Sequence, residues 1–381
     1  MKDGDPSDAA PGGQGARLPD RRPPAPAPVP RPVASGALAL TLGLAGGLVA
    51  MWLGLPLPML IGSVVVVGAL GIGNVRPLGL VPALPGPFRL FFVPVIGVAI
   101  GASFTPDILS ELAGWWPSLL ALAIFVPGVH MAGYWLIRAT SDLDRPTAFF
   151  GSVPGGLVEA VVLGEENGAD GAMLTMLQLL RVILTILVLP LAFSITEGHA
   201  VGSADGVTLG DGAPLSPLDW VVLGLAGALG GWLGRRVRLP AGIITGPIFA
   251  SGAIHLLGWV EGAPPGWLIQ ATQLVIGTAL GARFAGRSPR IFWIAARLAV
   301  VNVAMILAIA LAAGLVFAPV VGERWEAVVL AYAPGGVAEM GLVALSLGAS
   351  VIFVTAHHVL RIVLAVAFAG ILWARVGPGR R

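Results

Sequence analysis

The chain has 381 residues, of which 56% are hydrophobic and only 11% charged, with a mean hydropathy of +0.89; soluble proteins carry about a quarter charged residues, so much of this surface must face lipid. Its net charge of +2, from 22 basic residues (Lys2 the single lysine) and 20 acidic ones, does not suggest a nucleic-acid surface. The absence of cysteine excludes disulfides, thiolate metal sites and a cysteine nucleophile.

Residues 1–32 are rich in Pro, Ala and Gly ("PPAPAPVPRP" at 23–32) and cannot bury enough apolar surface to fold, so they read as a disordered tail. The basic stretch before the apolar run at Val33 is compatible with a signal peptide, but the late start and the eleven further runs favour a first transmembrane helix. Apolar runs occupy 33–54, 57–73, 88–105, 113–138, 147–164, 171–196, 217–234, 240–258, 266–284, 291–318, 327–346 and 350–374. Most reach the roughly 20 residues a helix needs to cross a bilayer core. An all-α polytopic membrane protein is expected, because backbone polar groups in lipid must be satisfied within their own segment.

The chain repeats itself. "VIGVAIGASF" (95–104) returns as "VIGTALGARF" (275–284), and "PGGLVEAVVLGEENGADGAMLTMLQLLRVIL" returns as "PGGVAEMGLVALSLGASVIFVTAHHVLRIVL", both at an offset of 180 residues. Weaker echoes join "LPLPMLIG" (55–62) to "LPAGIITG" (239–246). Two copies of one membrane unit follow, at 33–196 and 217–381, with a polar linker at 197–216.

Arginine positions test how the copies cross the membrane. If all twelve runs cross and the Arg-containing C-terminus is cytoplasmic, the acidic linker falls inside and Arg235, Arg236 and Arg238 outside, against the positive-inside rule. If the fifth and eleventh runs, which carry Pro-Gly-Gly, instead enter and leave on one side, Arg76, Arg89, Arg138, Arg145, Arg235, Arg236, Arg238, Arg283, Arg287, Arg290, Arg375, Arg380 and Arg381 all fall inside. Asp107, Glu111, Glu261, Glu323 and the linker then fall outside, with Arg324 the exception. Five crossings per copy is an odd number, so the expected architecture is two inverted repeats of about five transmembrane helices, each with a re-entrant or broken Pro-Gly-Gly helix. Secondary transporters use this plan and bind solute where the breaks meet.

The expected site is built on those breaks. Pro154-Gly155-Gly156 and Pro334-Gly335-Gly336 each precede a short apolar stretch, where proline suits a first helical turn and glycine lets backbone approach a ligand; exposed N–H groups there attract negative charge. Glu159 and Glu339, five residues after each proline, either assist the helix dipole and pair with arginine or bind a proton or cation. Arg181 and Arg361 lie eleven residues into the following runs, about 16 Å at about 1.5 Å per residue, near mid-membrane, with their own Glu as candidate partner or an anionic substrate as contact. Thr175, Gln178 and Arg181 share one helix face, as do Thr355, His358 and Arg361, with His357 adjoining. Since Gln178 stands where His358 does and only histidine titrates near neutral pH, proton coupling is expected to depend on the second copy. Gly62, Gly97, Gly101, Gly246, Gly277 and Gly281 read as helix-packing positions, and His130, His199 and His255 as incidental.

At "APGGVAEMGLVALSLGAS" and "TAHHVLRIVL", with their counterparts "VPGGLVEAVVLGEENGAD" and "LQLLRVIL", the chain resembles the AbrB family of duplicated integral membrane proteins, which also carries an ammonia monooxygenase label. The resemblance covers about 35–375, departs at the single Gln178 in place of a histidine pair, and implies a membrane protein connected with regulation of gene expression. More remotely the layout is similar to the cation/proton antiporter and anion transporter superfamily. Ammonia oxidation needs several clustered His or carboxylate metal ligands, and only His357 and His358 are adjacent. DNA binding needs a soluble basic module, which the tail does not supply. The reading is therefore a secondary transporter of a small solute, an anion being one candidate, coupled to protons or cations, in the inner (plasma) membrane with both termini cytoplasmic. It takes no cofactor or metal, is not an enzyme, and leaves a homo-oligomer open. The alternative is a membrane sensor that uses the same pocket without transport and affects gene expression indirectly.

Overall fold

A computed structural model describes residues 32–105, 111–201 and 214–376. The tail, apart from Pro32, lies outside the described residues, as do Asp107 and 202–213 of the linker. Fourteen α-helices and no strand occur among the described residues. The first copy holds α1 (Pro32–Trp52), α2 (Pro58–Ile72), α3 (Gly86–Gly101), α4 (Trp116–Thr140), α5 (Arg145–Gly151), α6 (Leu157–Glu166) and α7 (Gly171–Glu197). The second holds α8 (Pro217–Arg236), α9 (Gly242–Leu256), α10 (Gly266–Ala282), α11 (Pro289–Val321), α12 (Trp325–Tyr332), α13 (Val337–Ser346) and α14 (Val351–Val376). Among the described residues, the duplication seen in the sequence pairs seven helices of one copy with seven of the other.

Six helices, α1, α4, α7, α8, α11 and α14, are long and apolar enough to cross a membrane; α2, α3, α9 and α13 are apolar but shorter. The fifth and eleventh apolar runs are not continuous. Each divides at its Pro-Gly-Gly into two helices, α5 and α6 or α12 and α13, of 7 to 10 residues. Local chemistry sets the boundaries. The Asp144 carboxylate accepts from Thr147 N at 2.7 Å and starts α5; Asp170 accepts from Ala172 N and Met173 N at 2.9 and 3.1 Å and starts α7. Ser216 and Asp219 form a reciprocal capping box on α8.

The helices sort into two groups that each mix the copies. In the first, α2 packs on α10 and α9 on α3, with α1 and α8 outside them; in the second, α4–α7 pack with α11–α14. Contacts of α3 with α13 and of α2 with α7 join the groups. Every cross-copy contact in the first group has its swapped twin. A Cβ built on Gly97 or Gly101 would lie 2.6 or 2.7 Å from the carbonyl oxygen of Ile244 or Ile248, and one built on Gly277 or Gly281 would lie 2.5 or 2.9 Å from that of Leu60 or Val64. A Cβ at Gly246 would overlap the Gly230 carbonyl, as one at Gly62 would overlap that of Gly46. All six recurring glycines are therefore packing positions, since only a missing side chain lets backbones come this close.

Arg324, the exception to the charge pattern, is neutralised where it stands. Its guanidinium pairs with Glu197 at 2.8 Å and Glu326 at 3.1 Å and donates to Leu347 O at 2.7 Å. In the same loop, Glu323 is pushed above the usual carboxylate range by burial and by the charge of Glu111, against hydrogen bonds to Ser350 and Trp115.

Two outcomes follow from this packing. Gly246→Ala is expected to cost about 1–3 kcal/mol through backbone displacement, read as a lower melting midpoint in detergent. A native pKa raised above the unfolded value means the folded chain holds that proton more tightly, so the Glu323 contribution to stability grows as pH falls through the native pKa and is unfavourable at neutral pH. Glu323→Gln is expected to raise the midpoint at pH 7 and to flatten its change toward acid.

Candidate functional site

The second break is the more fully bonded. Where α12 ends, its last carbonyls have no helical partner, and side chains of α14 supply donors. Arg361 Nη1 donates to Ala333 O, and Nη2 donates to Gly335 O at 2.8 Å. His358 Nε2 lies 2.8 Å from Leu330 O, while its Nδ1 faces Arg361 Nη2 at 3.4 Å. Since a carbonyl only accepts, this pattern requires the neutral tautomer with the proton on Nε2. His357 turns the other way: Nδ1 meets Phe353 O of its own helix at 2.8 Å and Nε2 meets Ser118 Oγ at 2.9 Å. Tyr332 OH donates to Ser118 O at 2.7 Å, which ties α12 to α4 beside the break.

The first break repeats the core of this design. Arg181 Nη1 donates to Val153 O, and Gln178 Nε2 donates to Phe150 O at 2.8 Å. Val153 and Phe150 stand 180 residues before Ala333 and Leu330. Gln178 and His358 therefore share one structural task in their respective copies, each donating to the equivalent carbonyl, while His358 Nδ1 also faces Arg361 and Gln178 Oε1 has no partner. His130, which the sequence marks as incidental, also serves this break, its Nε2 lying 3.0 Å from Phe149 O. His255 links Ser251 O to Gly262 O at the end of α9 and lies away from the site.

Arginine and glutamate do not pair within a copy: among the described residues neither Arg181 with Glu159 nor Arg361 with Glu339 forms an ion pair. The guanidiniums are committed to the break carbonyls, and each carboxylate instead folds back toward the glycine that starts its helix, Gly156 or Gly336. The two starts differ. Gly156 has φ +62°, which favours glycine, while Gly336 is extended with φ −82°. Glu159 is exposed and Glu339 buried.

The halves nevertheless converge. A Cβ on Gly155 would lie 3.2 Å from that of Ala365 and 3.6 Å from Arg361 O, so the first break rests on α14 beside the arginine of the second. Arg181 binds Val153 O, two residues before the Gly155 that lies against Arg361 O, so both arginines serve the same stretch of the molecule. Around them Gln178 Oε1, Arg181 Nε, Thr355 Oγ1 and Arg361 Nε are buried with no protein partner. Thr175 is not among these, because its hydroxyl donates to Gly171 O of its own helix. No group of three or more His, Asp or Glu suited to a metal occurs among the described residues.

This duplicated arrangement belongs to a known group. A family model described as "Transition state regulatory protein AbrB" matches residues 74–377. The chain belongs to the AbrB family. The match begins after α2, so the first two helices lie outside it. Among relatives of this AbrB-family chain, "Uncharacterized protein YhjN" of Bacillus subtilis (strain 168) is 27% identical over 343 residues, covering 85% of this chain and 88% of that protein. "Putative regulator AbrB" of Escherichia coli (strain K12) is 26% identical over 219 residues, covering 54% and 59%.

Sequence reading missed Ser118, Tyr332 and the role of His130. Tyr332 carried one signal, being one of only two tyrosines and lying two residues before Pro334; Ser118 carried none. If His358 serves chiefly to satisfy Leu330 O, His358→Gln should keep the native melting midpoint, whereas His358→Leu should lose about 1–3 kcal/mol from the stranded carbonyl.

Proposed function

We propose that this chain is a secondary transporter of a small anionic solute, built from inverted repeats and coupled to protons or cations. The observation that carries the reading is the pair of helix breaks, each held by a buried arginine whose Nε has no protein partner, brought together from the two copies. The guanidiniums, with the partnerless Nε atoms and the Thr355 hydroxyl, suit an oxyanion, which accepts hydrogen bonds, whereas the partnerless Gln178 Oε1 is itself an acceptor. The break glycines give backbone access, and Glu339, buried beside one break, suits a coupling proton or cation.

Two features support inversion. Gly97 and Gly101 meet Ile244 and Ile248 in ascending order, as Gly277 and Gly281 meet Leu60 and Val64, so α3 runs with α9 and α10 with α2. Because α1 runs against α2 and Gly36 near its start lies by Pro85, α3 begins at the end where α2 finishes. With α3 opposed to α2, the counterparts α2 and α9 point opposite ways. The arginine distribution agrees, and favours cytoplasmic termini in the inner membrane. No covalent chemistry is assigned to the protein.

The printed names of the family model and one relative favour a second reading, a ligand-sensing membrane regulator that acts on gene expression indirectly. Proteoliposome uptake of small carboxylates and phosphates under an imposed pH gradient separates the two. Transport predicts pH-driven flux that falls more than about tenfold in Glu339→Gln and in Arg361→Gln, each checked for folding by size exclusion. Flux unchanged in the double variant overturns the residue assignment. Ligand-dependent stabilisation without flux favours the sensor.

A further inference from the structure

A second cationic site lies outside the breaks. A cleft of about 500 Å³ opens between the start of α3 and the end of α10, lined by Leu84, Gly86, Arg89, Ala279 and Arg283 among others. Arg89 stands in the first turn of α3 and Arg283 is the residue that caps α10. Both are half-buried. Both line the one cleft, which brings their like charges near each other. Neither forms an ion pair among the described residues. Glu339 is an acid within electrostatic reach of Arg89 but does not pair with it.

Two guanidiniums held together in a partly desolvated cleft repel each other, and an anion between them turns that repulsion into attraction. The surroundings suit an oxyanion. Arginine presents planar forks that match phosphate and carboxylate geometry. The start of α3 has no side-chain cap, and the space beside Gly86 is open, with nothing within 4 Å of where a Cβ would stand. Pro87 has no N–H and Phe88 N donates to Pro85 O, so the start of this 16-residue helix, which lines the same cleft, contributes chiefly its dipole. The positions are not duplicated: Ile269 and Ser103 stand 180 residues from Arg89 and Arg283, so this site belongs to one side of the protein only.

We propose that Arg89 and Arg283, at the start of α3 and the end of α10, bind an oxyanion, phosphate or carboxylate in class, in the cleft they line. The anion is either a free solute or the phosphate of an anionic lipid. The proposal does not require transport, and its test contains no flux measurement, so its failure and that of the transporter reading are distinguishable.

The full-length protein is placed in nanodiscs of phosphatidylcholine alone and titrated with sodium phosphate, with sodium chloride matching the ionic strength. A saturable rise in melting midpoint over the chloride control is expected, with an apparent affinity weakened about ten- to hundredfold in Arg89→Gln and in Arg283→Gln. Arg89→Lys and Arg283→Lys keep the charge but lose the fork, and should fall between wild type and the glutamine variants. In a second arm the nanodiscs contain phosphatidylglycerol. A rise seen only there, and lost in the glutamine variants, assigns the site to a lipid headgroup. No saturable rise in either arm, or one that survives in both glutamine variants, overturns the proposal.

Discussion

A helix broken inside a membrane must find donors for the carbonyls it frees. In hydrocarbon no water supplies them, and each one left bare costs several kcal/mol. Arg181 and Arg361 supply them, joined by Gln178 and His358. The arginines are themselves expensive at that depth, so each liability offsets the other. A guanidinium presents five donors and no acceptor, which lets one side chain serve carbonyls at the break and still leave an Nε without a protein partner. Among the described residues the charge is met by carbonyl dipoles rather than by a paired carboxylate.

The rest of the architecture keeps those two centres in place. Glycines strip the interface between α2 and α10 and between α3 and α9 to backbone contact, giving one helix group a close-packed frame. The other group carries the breaks, and α6 packs on α14 while α13 packs on α7, so the short second half of each break lies against the long helix of the opposite copy. Duplication thereby joins the halves at the site itself. The symmetry is incomplete where chemistry enters, because Glu339 is buried and Glu159 exposed and the Ser118–His357–Tyr332 cluster has no counterpart described in the first copy.

The names attached to the family speak of regulation, while the breaks hold two buried arginines inside a membrane protein. These meet most simply if any effect on gene expression runs through what the protein moves or detects.

The sequence alone determined the helical class, the duplication, the breaks and which helix faces carry polar groups, because hydropathy and the 180-residue offset are written in residue order. It also placed the packing glycines, since a small residue recurring in both copies has few other uses. Partners were beyond its reach. Sequence proximity suggested that Arg181 and Arg361 pair with Glu159 and Glu339, but hydrogen-bond demand at a broken helix outweighs charge pairing, and the guanidiniums went to Val153, Ala333 and Gly335. Gln178 and His358 looked chemically distinct; only the tertiary structure revealed that both reach equivalent carbonyls, because the shape of the break, not the titration of the side chain, sets what must be donated there. Arg89, Arg283 and Glu339 lie far apart in the chain, and only the packing of α3 against α10 and α13 brings their charges together.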